Sequence, residues 1–168
     1  MQEKHPSTTY DQKNQVRRAA TGRLELVRVT LAIMLADLLI QFLLGIWLNL
    51  FATFPSITST SSSGMMGGMM SSMSAVMAGG MSVLMVHVLN GYLLFILSIV
   101  VFAVSLYSGR TSIAVMGTLG LVSILLAGIS GLSFTFSGFQ NNLYSYLMAL
   151  GFITSLTVYF MELYFSRS

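Results

Sequence analysis

The chain has 168 residues, 55% of them hydrophobic and 8% charged, with a mean hydropathy of +0.80 and a formal net charge of +3. A water-facing domain carries roughly a quarter charged residues, so this composition excludes an ordinary soluble fold and points to lipid as the solvent. It has no cysteine, which excludes disulfides, thiolate metal sites and a cysteine nucleophile. The pI near 9.5 does not imply nucleic acid, because the basic residues sit beside apolar spans.

Residues 1–22 form a polar segment, with helix from Asp11 onward compatible with its composition. No apolar run followed by a cleavage site precedes the first span, so that span is expected to remain as a helix. Residues 23–168 then read as one all-α transmembrane domain, an antiparallel four-helix bundle. Its spans fall at about residues 24–51, 81–107, 113–132 and 143–165, each long enough to cross about 30 Å of hydrocarbon. Ser108-Gly109-Arg110-Thr111 is a tight turn, residues 52–80 are the one long connection, and Ser133 to Asn142 is a short aromatic one.

The eight basic residues (Lys4, Lys13, Arg17, Arg18, Arg23, Arg28, Arg110 and Arg167) all fall on one side of this topology. The positive-inside rule places that side, with both termini, in the cytoplasm of a multi-pass cell-membrane protein. The two outer connections carry no charge. Span three presents Ala114, Gly117, Gly120, Ser123, Ala127 and Gly131 at spacings of three and four. Such a small-residue face suits the bundle interior or a seam with a second copy or another membrane subunit. A short internal repeat aligns Gly91 with Gly151 and brings Gly45 near Gly128.

Eight of the thirteen methionines lie between Ser61 and Tyr92, and Met65, Met69, Met73, Met77, Met81 and Met85 recur at every fourth residue. Thioethers are soft ligands that favour Cu(I). Met77, Met81, Met85 and His87 are therefore candidate copper ligands, against the plainer reading of adaptable packing in a lid over the bundle. His87 is the one histidine of the apolar region. Counting back from Arg110 at roughly 1.5 Å per residue puts it about 30 Å away, near the outer headgroups. A neutral imidazole there can ligate haem iron or copper, or hydrogen-bond to a neighbour. In His-Val-Leu-Asn-Gly, Gly91 stands one turn further on, where a flat macrocycle has clearance.

LLIQFLLGIWLNLF, a loop, and a span opening on His87 with Gly91 and Tyr92 behind it resemble half of a haem A synthase. They are more loosely similar to cytochrome b561-type four-helix haem proteins. The resemblance covers about residues 35–105 and, through the repeat, part of 120–160. It implies a haem near the outer side and a role in electron transfer or oxidase assembly in a respiratory chain. Span four has no histidine, so the implied axial set is His87 alone, His87 with Met148 or a loop methionine, or His87 from two protomers.

Asp37 is the acid deepest inside a span, and an intramembrane carboxyl is a functional candidate by default. It is expected to bond Gln41 or hydroxyls of another span, to relay protons or touch a quinol, or to contact a partner subunit. By helix rise it lies about 15 Å from His87, too far for a direct pair. Glu162 is expected in an interfacial ion pair with Arg23, Arg28 or Arg110. No phosphate loop, zinc spacing or serine-histidine-acid set is present. The readings left open are a haem-binding respiratory protein, a Cu(I)-handling protein and a non-catalytic accessory subunit.

Overall fold

A computed structural model describes residues 7–51, 81–137 and 141–167. The described residues hold four helices and no strand: α1 (Ser7–Phe51), α2 (Met81–Tyr107), α3 (Thr111–Phe136) and α4 (Asn142–Phe165). Each is long and apolar enough to cross a membrane. The expected spans are therefore present, and two boundaries differ. The helix of span one starts at Ser7, so the polar segment and the span are one rod of 45 residues. At about 1.5 Å per residue it is about 68 Å long, more than twice the thickness of a hydrocarbon layer. The third helix continues through Phe136, into the expected connection. Nothing breaks it there: Thr135 Oγ1 donates to Gly131 O, and Ser137 N caps the end on Ser133 O.

The turn between α2 and α3 is as its residues require. Gly109 takes φ +73°, a left-handed conformation that glycine adopts without steric cost. Ser108 N donates to Val104 O and Ser108 Oγ to Ser105 O, satisfying carbonyls at the helix end. At the start of α4, the Asn141 side chain accepts from Leu143 N at 3.1 Å, a standard N-cap.

The helices pack in a ring, α1 on α2, α2 on α3, α3 on α4 and α4 back on α1. Val27, Leu31, Met34 and Leu38 of α1 meet Leu94 and Val101 of α2, Ile113 and Ile124 of α3 and Tyr159 of α4 in one core. The small-residue face of α3 lies inside this ring. A Cβ at Gly117 would stand 2.8 Å from Ser105 Cβ of α2, and one at Gly120 would stand 2.8 Å from the Tyr159 hydroxyl of α4. The face therefore lets backbones approach within the bundle, as small residues do where apolar burial gives no drive. The repeat is not mirrored in packing. A Cβ at Gly45 would meet His87 Cε1 at 3.5 Å, whereas the exposed Gly128 has nothing within 4 Å.

Arg28 joins the beginning of the first span to the end of the last. Its Nε and Nη2 both donate to Ser166 O, at 3.1 and 2.7 Å. A guanidinium there satisfies a free carbonyl and complements the negative end of the α4 dipole. Arg28→Ala should cost about 1.5–3 kcal/mol, the range for a hydrogen bond to a charged group, read as a lower unfolding temperature in detergent. Beside it, Arg23 lies over the Tyr107 ring, 5.6 Å from the centroid.

Candidate functional site

The residues singled out in α1 and the start of α2 converge. Gln41 points across the α1–α2 interface, where its Nε2 donates to His87 O at 3.1 Å and stands 3.2 Å from His87 Nε2. Its Oε1 accepts from Asn90 Nδ2 at 3.0 Å. Asn90 also interacts with the carboxyl of Asp37, one helical turn below Gln41. Asp37, Gln41, His87 and Asn90 thus form one polar cluster between two helices. It is built by Gln41 and Asp37 four apart on α1, and His87 and Asn90 three apart on α2. Asn90, a polar contact by its sequence position, links Gln41 to Asp37 here. No direct Asp37–His87 bond forms among the described residues, and the amides occupy the distance between them.

Proton counting assigns the imidazole. An amide NH2 only donates, so His87 Nε2 accepts and the ring proton resides on Nδ1. Nδ1 is buried without a hydrogen-bond partner among the described residues, and so is Asp37 Oδ2. The cluster therefore holds one free donor and one free acceptor in the interior of the membrane-length segments.

The haem that the resemblance implies does not fit His87 as placed. Nε2 is committed to Gln41, and Nδ1 carries the proton. Nδ1 also adjoins the Cγ–Cβ bond, where a flat macrocycle would collide with the side chain's own stem. Gly91 does not open onto free space, since a Cβ there would stand 3.6 Å from Gln41 Nε2. Met148 lies against Gly131 of α3, its Sδ 3.3 Å from where a Cβ would be.

The copper set is likewise not assembled among the described residues. Met77 lies outside them, as do the other methionines of 65–73 and the side chain of Met81. Met85 is 62% exposed. It precedes His87 by two residues, which on a helix turns the two side chains to opposite sides. Among the described residues no group of three or more histidines or carboxylates could hold a metal.

A second polar site was not foreseen. Glu162 is 0% exposed and forms no ion pair among the described residues, which corrects the expected interfacial bridge to an arginine. Arg28 turns to Ser166 and Glu25 instead, the latter at 3.5 Å. Glu162 Oε1 is hydrogen-bonded to Ser105 Oγ of α2, and Oε2 is buried without a partner. Gly151, Ser155, Tyr159 and Glu162 are the buried residues of α4. Their spacing of four, four and three marks one helical face, and this stripe of small and polar residues was the available signal.

No family model matches the chain, and no curated protein or solved structure matches it. The fold defines its class: the described residues are helical, with four membrane-length helices among them. The particular function rests on the polar interior.

Proposed function

We propose that the protein is a multi-pass protein of the cell membrane that conducts protons through the interior of its bundle. In this reading the bundle is antiparallel, both termini are cytoplasmic, and the Met-rich segment is the outer loop. The pairing of helix ends supports the arrangement: Gln41 near the end of α1 meets His87 near the start of α2, and Arg28 meets Ser166. The observation that carries the function is the pair of buried carboxyls. Asp37 is 8% exposed and Glu162 0%, both within membrane-length helices and neither with a counter-charge among the described residues. A lone buried charge is costly, so such groups persist where they exchange protons. Asp37 lies nine residues from Arg28, and Glu162 four from Ser166, which Arg28 holds. By helix rise their depths differ by about 8 Å, so they stand as two levels. Tyr159, buried with an unpartnered hydroxyl, lies between them on the α4 face. Such a bundle would serve a respiratory or other proton-coupled assembly as one of its subunits.

The test is proton uptake into liposomes carrying the purified protein, driven by a potassium-diffusion potential and read with an internal pH dye. Uptake above that of protein-free liposomes is expected, and Asp37→Asn should remove most of it. Uptake no faster than in protein-free liposomes overturns the reading.

The second reading keeps His87 as a metal ligand, for haem in a respiratory role or for Cu(I). The observation that favours it is that one amide alone, that of Gln41, engages His87 Nε2 among the described residues. It requires Gln41 to reorient. A visible spectrum of the gently solubilised protein, with a Cu(I) titration, decides it: a Soret band or Cu(I) affinity lost in His87→Ala supports it. Absence of both ends it.

A further inference from the structure

We infer that Glu162 is a proton-binding site, a carboxylic acid that donates its own proton to Ser105, with the Ser105 hydroxyl as the rotor that follows that proton. The inference comes from counting hydrogens. Ser105 Oγ makes two contacts that each require a proton. It lies 2.7 Å from Val101 O and is also bonded to Glu162 Oε1. A hydroxyl has one hydrogen. A backbone carbonyl only accepts, so the Ser105 hydrogen belongs to the contact with Val101 O. The contact with Glu162 is then completed from the other side by the hydrogen of a protonated carboxyl, without dividing the single Ser105 hydrogen between two acceptors.

The surroundings agree. From α1, Arg28 is directed to Ser166 O and Glu25 rather than to the carboxyl. From α2 comes Ser105. From α3 comes Gly117, where a Cβ would stand 3.6 Å from Glu162 Oε1. From α4 itself comes Tyr159, three residues away and also without a partner at its hydroxyl. No cation among these favours the ionised form.

The exchange step is a single proton transfer. The Glu162 O–H bond breaks and the proton leaves to water. Ser105 then rotates its O–H from Val101 O to the carboxylate. Val101 O is left with the backbone bond of its own helix, and nothing is oxidised or reduced. Proton binding reverses the rotation. The site's place as the inner station of a path to Asp37 rests on the proton-conducting reading, whereas its protonation does not.

Infrared difference spectroscopy of the full chain in lipid at neutral pH tests it. Wild type minus Glu162→Gln should show a carboxylic-acid carbonyl stretch that shifts on deuteration. Ser105→Ala should retain the band at a shifted frequency, because the acid loses its acceptor. Asp37→Asn should leave it in place. A difference spectrum showing an ionised carboxylate instead overturns the assignment. So does a band unmoved by Ser105→Ala, which also serves if Glu162→Gln does not fold. A shifting band in a protein that passes no protons sustains the site and removes only the conducting role.

Discussion

Gly151→Leu is expected to separate α4 from α3 and leave no cooperative unfolding transition. A Cβ at Gly151 would stand 2.9 Å from Ala127 N and 2.9 Å from Ser123 O, with Ala127 Cβ at 3.0 Å. Two of these three atoms are backbone, in the middle of a helix, and cannot rotate away. Even one methyl therefore forces the helices apart, and Gly151→Ala should cost about 1–3 kcal/mol, the usual range for overpacking. Leucine adds three further carbons to the same gap. The displacement would travel along the face to Tyr159 and Glu162, which share it with Gly151. In lipid there is no hydrophobic drive to reassemble the pair, since close packing is itself the attraction. Gly128→Leu is the control: that glycine is exposed, has nothing within 4 Å, and lies on α3 close to the same level. Its change should stay within about 0.5 kcal/mol, as for surface substitutions away from special features. Circular dichroism melts and size-exclusion profiles in one detergent would compare the three. An intact transition in Gly151→Leu would show that the α3–α4 contact is not what holds the bundle.

Much of this fold is written in composition. Long apolar runs in a chain that is 8% charged read as membrane-length helices, and Ser108-Gly109-Arg110 breaks a run where a left-handed residue is available. The inward side of α3 and α4 is legible too, by a rule opposite to that for soluble proteins. The buried members of α3 include Gly117, Gly120 and Ser123, and those of α4 Gly151, Ser155 and Glu162. Meanwhile Leu43, Ile96, Ile129 and Phe160 face outward. In lipid the small and polar residues go inside.

Register across helices is what a single chain does not reveal. Asp37, Gln41 and His87 were each conspicuous, but their union depends on Asn90 and on how far α1 slides along α2. Glu162 was misplaced for the same reason. Its closeness in sequence to the basic end suggested an arginine partner, whereas the rotation of α4 turns it to Ser105. The methionine periodicity raises a different question of register. A four-residue spacing aligns Met81 with Met85 on one helix, but His87, two residues on, lies on the other side.

Gln41→Leu is expected to lower stability by about 1–3 kcal/mol although it adds no bulk and removes no charge, because two partly buried partners would lose their hydrogen bonds. His87 Nε2 loses its donor and Asn90 Nδ2 its acceptor. His87 O keeps the backbone bond of α2 and is affected less. Removing all three polar side chains together, as Gln41→Leu, His87→Leu and Asn90→Leu, should recover much of the loss, since no orphan remains apart from the group facing Asp37. Gln41→Glu separates geometry from polarity. It keeps an acceptor for Asn90 but sets a carboxylate oxygen against Nε2, which would draw the ring proton from Nδ1 to Nε2. Nitrogen-15 chemical shifts of the imidazole would report that change of tautomer. Denaturant unfolding in mixed micelles would rank the variants. If the triple variant regains stability but passes no protons, the cluster acts in transport rather than assembly. If Gln41→Leu is as stable as the parent, the amide does not hold His87, and Nε2 is open to a metal.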